Sequence, residues 1–405
     1  MKMFLLFIIL AFLYLIASAS ATTITPFSSP ENSFQVLSSY INGLKNSIYL
    51  SAYTFRSAEF AQTLINAARN GASVIIVIED RPAGEPMNRD ILCTMSKNKV
   101  DVYLYAGKLK FIHAKYIIGD NVSVSIGSGN FDPDSFLKNR EWGALIEDEK
   151  VAHDLLKVYL KDLADSKKFE CAGKSTDVET PQKSIELKKY ISQKADLVVA
   201  PDATDNILDF LKTANSSIYV EQFYIYKKWG TKNNSFLEAV IDKARKGISV
   251  KILMDTNYYN TQKDDPNSNY NTFQYLKNVS ASEKIPIEVA FANLSALGMT
   301  KIHNKGVIID NKSVLVSSIN WNENSPKNNR EVGVIINGNS AEYFVDRFFS
   351  DWGSVEQHVE ESADVVKKDY GKILSNVIIF ITGMGIFMLI IKKKFYGKRR
   401  KIRYI

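Results

Sequence analysis

Cysteine and histidine are scarce in this chain, with two and four copies among 405 residues, and glycine (20) and proline (10) are sparse as well. Two cysteines exclude a disulfide-dense scaffold, and so few glycines and prolines exclude collagen-like and low-complexity chains. A composition that is 45% hydrophobic, 23% charged and 11% aromatic excludes a wholly disordered protein. The length fits two or three domains of about 100–200 residues each. No charge sign dominates: 51 Lys and Arg stand against 44 Asp and Glu, for a net +7. Taken alone, that excess suggests affinity for nucleic acid or an anionic membrane.

The excess is confined to the ends. Residues 1–21 carry one Lys, an apolar run from Phe4 to Ile16 and two A-x-A patterns, the layout of a secretory signal peptide. Residues 373–391 form a 19-residue stretch without a charge, close to the ~20 residues that cross a bilayer as a helix. Eight cations follow it within 392–405. By the positive-inside rule this tail is cytoplasmic, so the rest is expected outside as a single-pass membrane protein with a stalk over 355–372. Lys2 and the tail account for nine of the 51 cations, which leaves 42 against 44 acids in the exported body. Such a body gives no support to a nucleic-acid-coating surface, although a local groove built on Lys115, Lys305, Lys108 and Lys110 could still attract a polyanion. Export agrees with Cys93 and Cys171 either bonding or staying free in an oxidising compartment, and with six N-x-S/T sequons.

Between the ends, the chain repeats itself. SIYLSAYTF at 47–55 is echoed by SIYVEQFYI at 217–225, and AARNGASVIIVIED at 67–80 by KARKGISVKILMD at 243–255. Each half reads as alternating helix and strand, with Gly71 and Gly247 ending a helix. That alternation predicts an α/β fold in which each half is a mixed sheet flanked by helices. The halves are expected at 24–165 and 196–354, joined by a polar linker over 166–195. An Asn-, Ser- and Tyr-rich stretch at 257–284 has no equal in the first half and reads as a surface insertion or a loop bordering a substrate channel.

The chemistry lies late in each half. Six reactive positions match at a constant offset of 190: His113 and His303, Lys115 and Lys305, Asp120 and Asp310, Ser128 and Ser318, Asn130 and Asn320, Glu141 and Glu331. In I-H-x-K-x-I-I, strand alternation places His and Lys on one face. Asp120-Asn121 and Asp310-Asn311 read as hairpin turns, after which a strand delivers Ser and Asn. Two copies packed about a pseudo-two-fold would bring two imidazoles, ammoniums, hydroxyls and amides to one cleft, a set suited to a phosphodiester. His153 and His358 lack a Lys partner and read as structural; Trp142 and Trp321 read as core; Glu221, opposite Ser51 of the first half, has no assigned role.

The doubled H-x-K-x4-D followed by Ser-x-Asn resembles the phospholipase D superfamily over roughly residues 24–352, with Ser317 where the first copy has Gly127. The resemblance implies two tandem repeats with the active site between them. It also implies a phosphohistidine intermediate, with no metal and no cofactor. By analogy His113 is the nucleophile and His303 the general acid, although the symmetry allows the reverse order. Lys115, Lys305, Asn130 and Asn320 would hold phosphate oxygens with Ser128 and Ser318, and Glu141 and Glu331 would accept the histidine N–H. Asp120 and Asp310 would be turn residues. The expected function is a phospholipid headgroup hydrolase or transphosphatidylase, with the membrane as both substrate and anchor. A nuclease of the same superfamily acting on external DNA or RNA is the alternative, and a non-enzymatic receptor for phosphorylated ligands a third reading.

Overall fold

The computed structural model describes residues 22–84, 87–171 and 187–355. The expected signal peptide, stalk, membrane span and basic tail lie outside these, as does the middle of the linker. Among the described residues no helix is long and apolar enough to cross a membrane.

The first repeat contributes β1 (Thr22–Ser29), β2 (Ser47–Ala52), β3 (Ser73–Glu79), β4 (Val100–Tyr105), β5 (Tyr116–Gly119), β6 (Ser123–Gly127) and β7 (Asn139–Glu147), with β8 (Ser166–Lys168) after it. The second contributes β9 (Tyr190–Ala200), β10 (Ser217–Gln222), a small hairpin of β11 (Lys228–Trp229) and β12 (Lys232–Asn233), β13 (Ser249–Met254), β14 (Ile287–Phe291), β15 (Lys301–Ile302), β16 (Lys305–Ile309), β17 (Ser313–Ser317) and β18 (Glu331–Asn337). Apart from the hairpin, the strands form one continuous sheet in the order β14-β13-β10-β16-β17-β18-β9-β1-β7-β6-β5-β2-β3-β4-β8, with β15 attached to β7. The halves are mirror orders meeting at the antiparallel β9–β1 seam. In each half three neighbouring strands run parallel, β2-β3-β4 and β10-β13-β14, and the other pairings within the half are antiparallel, a mixed sheet as expected.

Local signals explain the connections. Ser57 and Asn234 cap their helices by accepting backbone N–H bonds from Phe60 and from Phe236 and Leu237. Gly71 and Gly247, with φ of 105° and 84°, lie just past the helices Ala58–Arg69 and Ser235–Arg245, where the backbone turns left-handed. Asp120-Asn121 and Asp310-Asn311 all have positive φ, as the two central positions of a type I′ turn require.

The expected linker over 166–195 is structured at both ends. β8 adds to the edge of β4, Phe169 is buried, Cys171 is disulfide-bonded to Cys93, and β9 starts at Tyr190. β8 itself is polar, as suits a strand at a sheet edge where one side faces water.

One apolar core is shared by the two halves, and it includes Ile112, Trp142, Tyr159, Ile302, Val332, Phe344 and Phe348. Trp142 and Trp321 are both buried, as core packing demands. At Gly306 a Cβ would lie 2.4 Å from the Trp142 ring, so this glycine is the space the indole fills. The related positions reverse the sizes, with Tyr116 replacing Gly306 and Val332 replacing Trp142. The interface breaks its symmetry here.

Candidate active site

Each His-x-Lys segment is held by the opposite repeat. β15 runs parallel to β7 and pairs Ile302 with Arg140, while Ile112 bridges Arg330. The backbone N–H of His303 then donates to Arg140 O at 3.0 Å, and that of His113 to Arg330 O at 2.8 Å. The histidines are therefore not in the strand predicted from the alternation. β5 and β16 begin only at Tyr116 and Lys305, because the H-x-K segment is extended but finds its partner across the interface.

The side chains cross as well. His113 Nδ1 meets Glu331 Oε2 at 2.8 Å, and His303 Nδ1 meets Glu141 Oε1 at 2.7 Å. Each glutamate fixes the imidazole of the other half, which leaves Nε2 as the nitrogen available for chemistry. Lys115 and Lys305, both buried, donate to the carbonyl oxygens of His113 and His303. This brings both histidines, both lysines and both glutamates into one center. Asn130 and Asn320 follow β6 and β17, and the buried Oδ1 of each has no hydrogen-bond partner, so the protein does not tie these carboxamides down.

The serines have a different job from the one expected. Ser128 Oγ donates to Glu141 Oε2 at 2.6 Å and accepts from Trp142 N, and Ser318 Oγ accepts from Val332 N and lies 3.3 Å from Val332 O. Both are buried and committed to the glutamate strand rather than presented to a phosphate. Ser325, donating to Glu331 Oε1 at 2.5 Å, plays for Glu331 the part that Ser128 plays for Glu141. Asp120 accepts the N–H groups of Lys45, Asn46 and Ser47, and Asp310 those of Asn215, Ser216 and Ser217. Burial disfavours their charge, but these amide bonds hold both carboxyls below the usual range. They staple the hairpins to β2 and β10.

Burial sets the electrostatics. It lowers His113 below the ordinary imidazole range against the pull of Glu331, and lowers His303 to about 3 against that of Glu141. Burial also brings Lys115 down to about 8, and burial together with the neighbouring Lys115 charge brings Lys305 to about 7. Burial alone would raise Glu141, but His303, Lys305 and the Ser128 hydroxyl bring it to about 2. The center thus holds neutral imidazoles, ionised glutamates and two lysines whose ammonium form a phosphate anion would stabilise.

The family "Cardiolipin synthase, PLD-like domain" matches residues 37–163 and 207–352. The chain belongs to the phospholipase D-like family. That family is one of phosphodiesterase and transphosphatidylase-class enzymes. Cardiolipin synthase 1 of Staphylococcus epidermidis is 34% identical over 130 residues, covering 31% of this chain and 26% of the relative. The major cardiolipin synthase of Bacillus subtilis is 29% identical over 150 residues, 35% of this chain and 31% of that one. The chain therefore aligns with less than a third of the length of these curated relatives. Among solved structures, phosphatidylserine synthase of Haemophilus influenzae superposes with a TM-score of 0.61 at 15% identity, covering 88% of this chain and 94% of that one, a likeness of fold.

Sequence reasoning passed over several residues that complete this phospholipase D-like center. Tyr53 and Phe223 pack edge-on against His113 and His303 at 4.6 and 4.8 Å, with Lys115 and Lys305 near the same rings. Glu79, the last residue of β3, and Asp255, just past β13, accept the backbone N–H of Ile112 and Ile302 at 2.7 and 2.8 Å and so fix the residue before each histidine. Burial raises both acids, Asp255 to about 6. The signal was available, since Tyr53 aligns with Phe223 and Glu79 with Asp255 in the repeated segments.

The lysine values predict a pH profile. Both ammoniums are present below pH 7 and are lost as pH rises past 8, so log(kcat/KM) is expected to bend downward between pH 7 and 8. In kcat the bend moves to higher pH, because bound phosphate restores the lysine protons. The acid limb, set by protonation of the attacking imidazole, should lie below the ordinary histidine range, since His113 is lowered. Initial rates from pH 4 to 10 test this, and a kcat/KM plateau extending beyond pH 9 would contradict it.

Proposed function

We propose that the protein is a membrane-anchored phosphodiesterase that hydrolyses or transfers phospholipid headgroups through a phosphohistidine intermediate. The crossed His–Glu pairs beside two buried lysines carry this reading. Nε2 of His113 attacks phosphorus and forms an N–P bond as the P–O bond to the leaving alcohol breaks. That alcohol takes its proton from Nε2 of His303. Water or an acceptor alcohol then gives a proton to His303 and attacks phosphorus, and the N–P bond breaks. His303, the more strongly depressed imidazole, gains its proton when an anionic diester fills the center. Lys115 and Lys305, with Asn130 and Asn320, hold the non-bridging oxygens.

The relatives named as cardiolipin synthases favour a lipid substrate, as does an exported body with no excess of positive charge. The uncharged stretch 373–391 and its trailing cations support anchorage with the catalytic body outside the cytoplasm. The Cys93–Cys171 disulfide agrees with that side.

Quenching the full-length enzyme in acid-free denaturant during turnover of phosphatidyl-labelled phosphatidylglycerol vesicles is expected to trap label on the peptide containing His113. Label on the His303 peptide would reverse the two roles. Label on neither, with cleavage of single-stranded DNA instead, would overturn the lipid reading in favour of a nuclease.

A further inference from the structure

The insertion that sets the second repeat apart comes to the mouth of the center. Its first turn, Tyr258–Asn260, is anchored by Asn260 and Asn257 to the buried Asp255 carboxylate. The Tyr259 ring lies 6.2 Å from Phe223, which itself packs on His303. Asn257 Nδ2 also donates to Thr300 O at 3.0 Å, and Thr300 N to Lys138 O at 2.8 Å. These bonds carry the insertion across to the corner before β7 in the first repeat, where Leu137 sits. The lip so formed spans both halves beside the catalytic histidines.

Its side chains face water without packing reason. Tyr258 is 65% exposed, Leu137 60% and Tyr259 49%, three of the large hydrophobic side chains most open to solvent among the described residues. Two lysines lie among them: Lys301, near the Phe223 ring, and Lys138, paired with Asp134 at the surface. Tyrosines with one polar and one apolar end, an aliphatic side chain and long-stemmed cations match the layered polarity of a lipid headgroup region. Nucleic acid would use the tyrosines and lysines but has no use for Leu137. Among the described residues the first repeat shows no such lip, and its segment after β3 lacks the insertion.

We propose that this lip docks on the surface of a phospholipid bilayer, with Tyr258 and Leu137 seated among the headgroups so that the cleft receives its substrate directly from the membrane. The inference rests on the lipid reading of the site and adds the surface through which lipid is presented. Tyr258 and Leu137 touch neither the histidines nor the lysines, so chemistry on a small soluble diester does not need them.

The test uses the full-length protein with vesicles of phosphatidylglycerol and phosphatidylethanolamine, and bis(p-nitrophenyl) phosphate as the soluble diester. Tyr258→Ser combined with Leu137→Ser is expected to lower turnover of vesicle lipid at least ~10-fold while soluble-diester turnover stays within about two-fold. Tyr258→Phe should restore most of the vesicle rate. In Tyr258→Trp, the added emission should shift blue on mixing with vesicles and be quenched by brominated acyl chains, a readout specific to residue 258 even if other segments also bind the bilayer. Equal loss on both substrates, no loss on either, or an emission change with single-stranded DNA but not with vesicles would overturn the proposal. If the unmodified enzyme turns over the soluble diester but no lipid, the functional reading fails, while the emission experiment still reports on docking.

Discussion

Alanine at His113 or at His303 is expected to lower kcat/KM by about 10³–10⁴, or roughly 4–5.5 kcal/mol of barrier, with the double substitution little worse than either one. The two imidazoles act on the same phosphorus in one sequence of steps, so losing either stops the reaction and their effects do not add. Crossed pairing sharpens the expectation. His113→Ala removes the ring that Glu331 holds, and Glu331 belongs to the half that carries His303. Glu331→Gln keeps the shape and removes the charge that favours an imidazolium, so it should cost about 10–100-fold and change the acid limb of the pH profile more than KM. Initial rates on a phosphodiester reporter and on vesicles, beside thermal unfolding within a few degrees of the wild type, check both. Turnover surviving in either alanine variant of the folded protein would sink the mechanism.

How far the sequence could be read follows from which contacts stay inside a repeat. The I′ turns at Asp120-Asn121 and Asp310-Asn311, the Gly71 and Gly247 helix ends and the buried Trp142 and Trp321 depend on neighbours in the same half, and spacing alone reveals them. Whether Glu141 serves His113 or His303 depends on how the halves pack, and a symmetric repeat carries no mark of that choice. The same reason hid the placement of His113, whose alternation reads as strand but whose backbone partner is Arg330 of the other half. Ser128 and Ser318 are ambiguous in the sequence because a hydroxyl after a strand can serve a ligand or the next strand, and their bonds to Glu141 and to the backbone of Trp142 and Val332 appear only when the strands are packed. The paired segments at 47–55 and 67–80 did carry Tyr53 with Phe223 and Glu79 with Asp255. Their roles needed the third dimension.

Asp351→Ala is expected to cost about 3–5 kcal/mol of stability, the usual penalty for stranding one partner of a buried pair. Arg140, 2% exposed, donates to Asp351 through Nε at 2.6 Å and Nη2 at 2.8 Å, and through Nη1 to Ser29 O and Glu31. Arg330 makes the related crossing to Asp162, at 2.8 and 3.0 Å. In each Asn-Arg-Glu, the arginine thus clasps the last helix of the other half while the next residue orients the other half's histidine, so breaking the clasp loosens the site as well as the interface. Glu221 makes the outcome specific. Burial and the Asp351 charge raise its carboxyl well above the usual range, which favours the neutral form beside the pair. Once Asp351 is gone, Glu221 can ionise and partly replace the charge that Arg140 has lost. Glu221→Gln should therefore be nearly neutral in the wild type yet add about 1–2 kcal/mol to the cost of Asp351→Ala, a coupling that a double-mutant cycle isolates. Thermal melts read the single loss as roughly 5–15 °C. Additive effects would show that Glu221 does not respond to the charge of Asp351, and a melt unchanged by Asp351→Ala would show that the crossed ion pair does not hold the two repeats together.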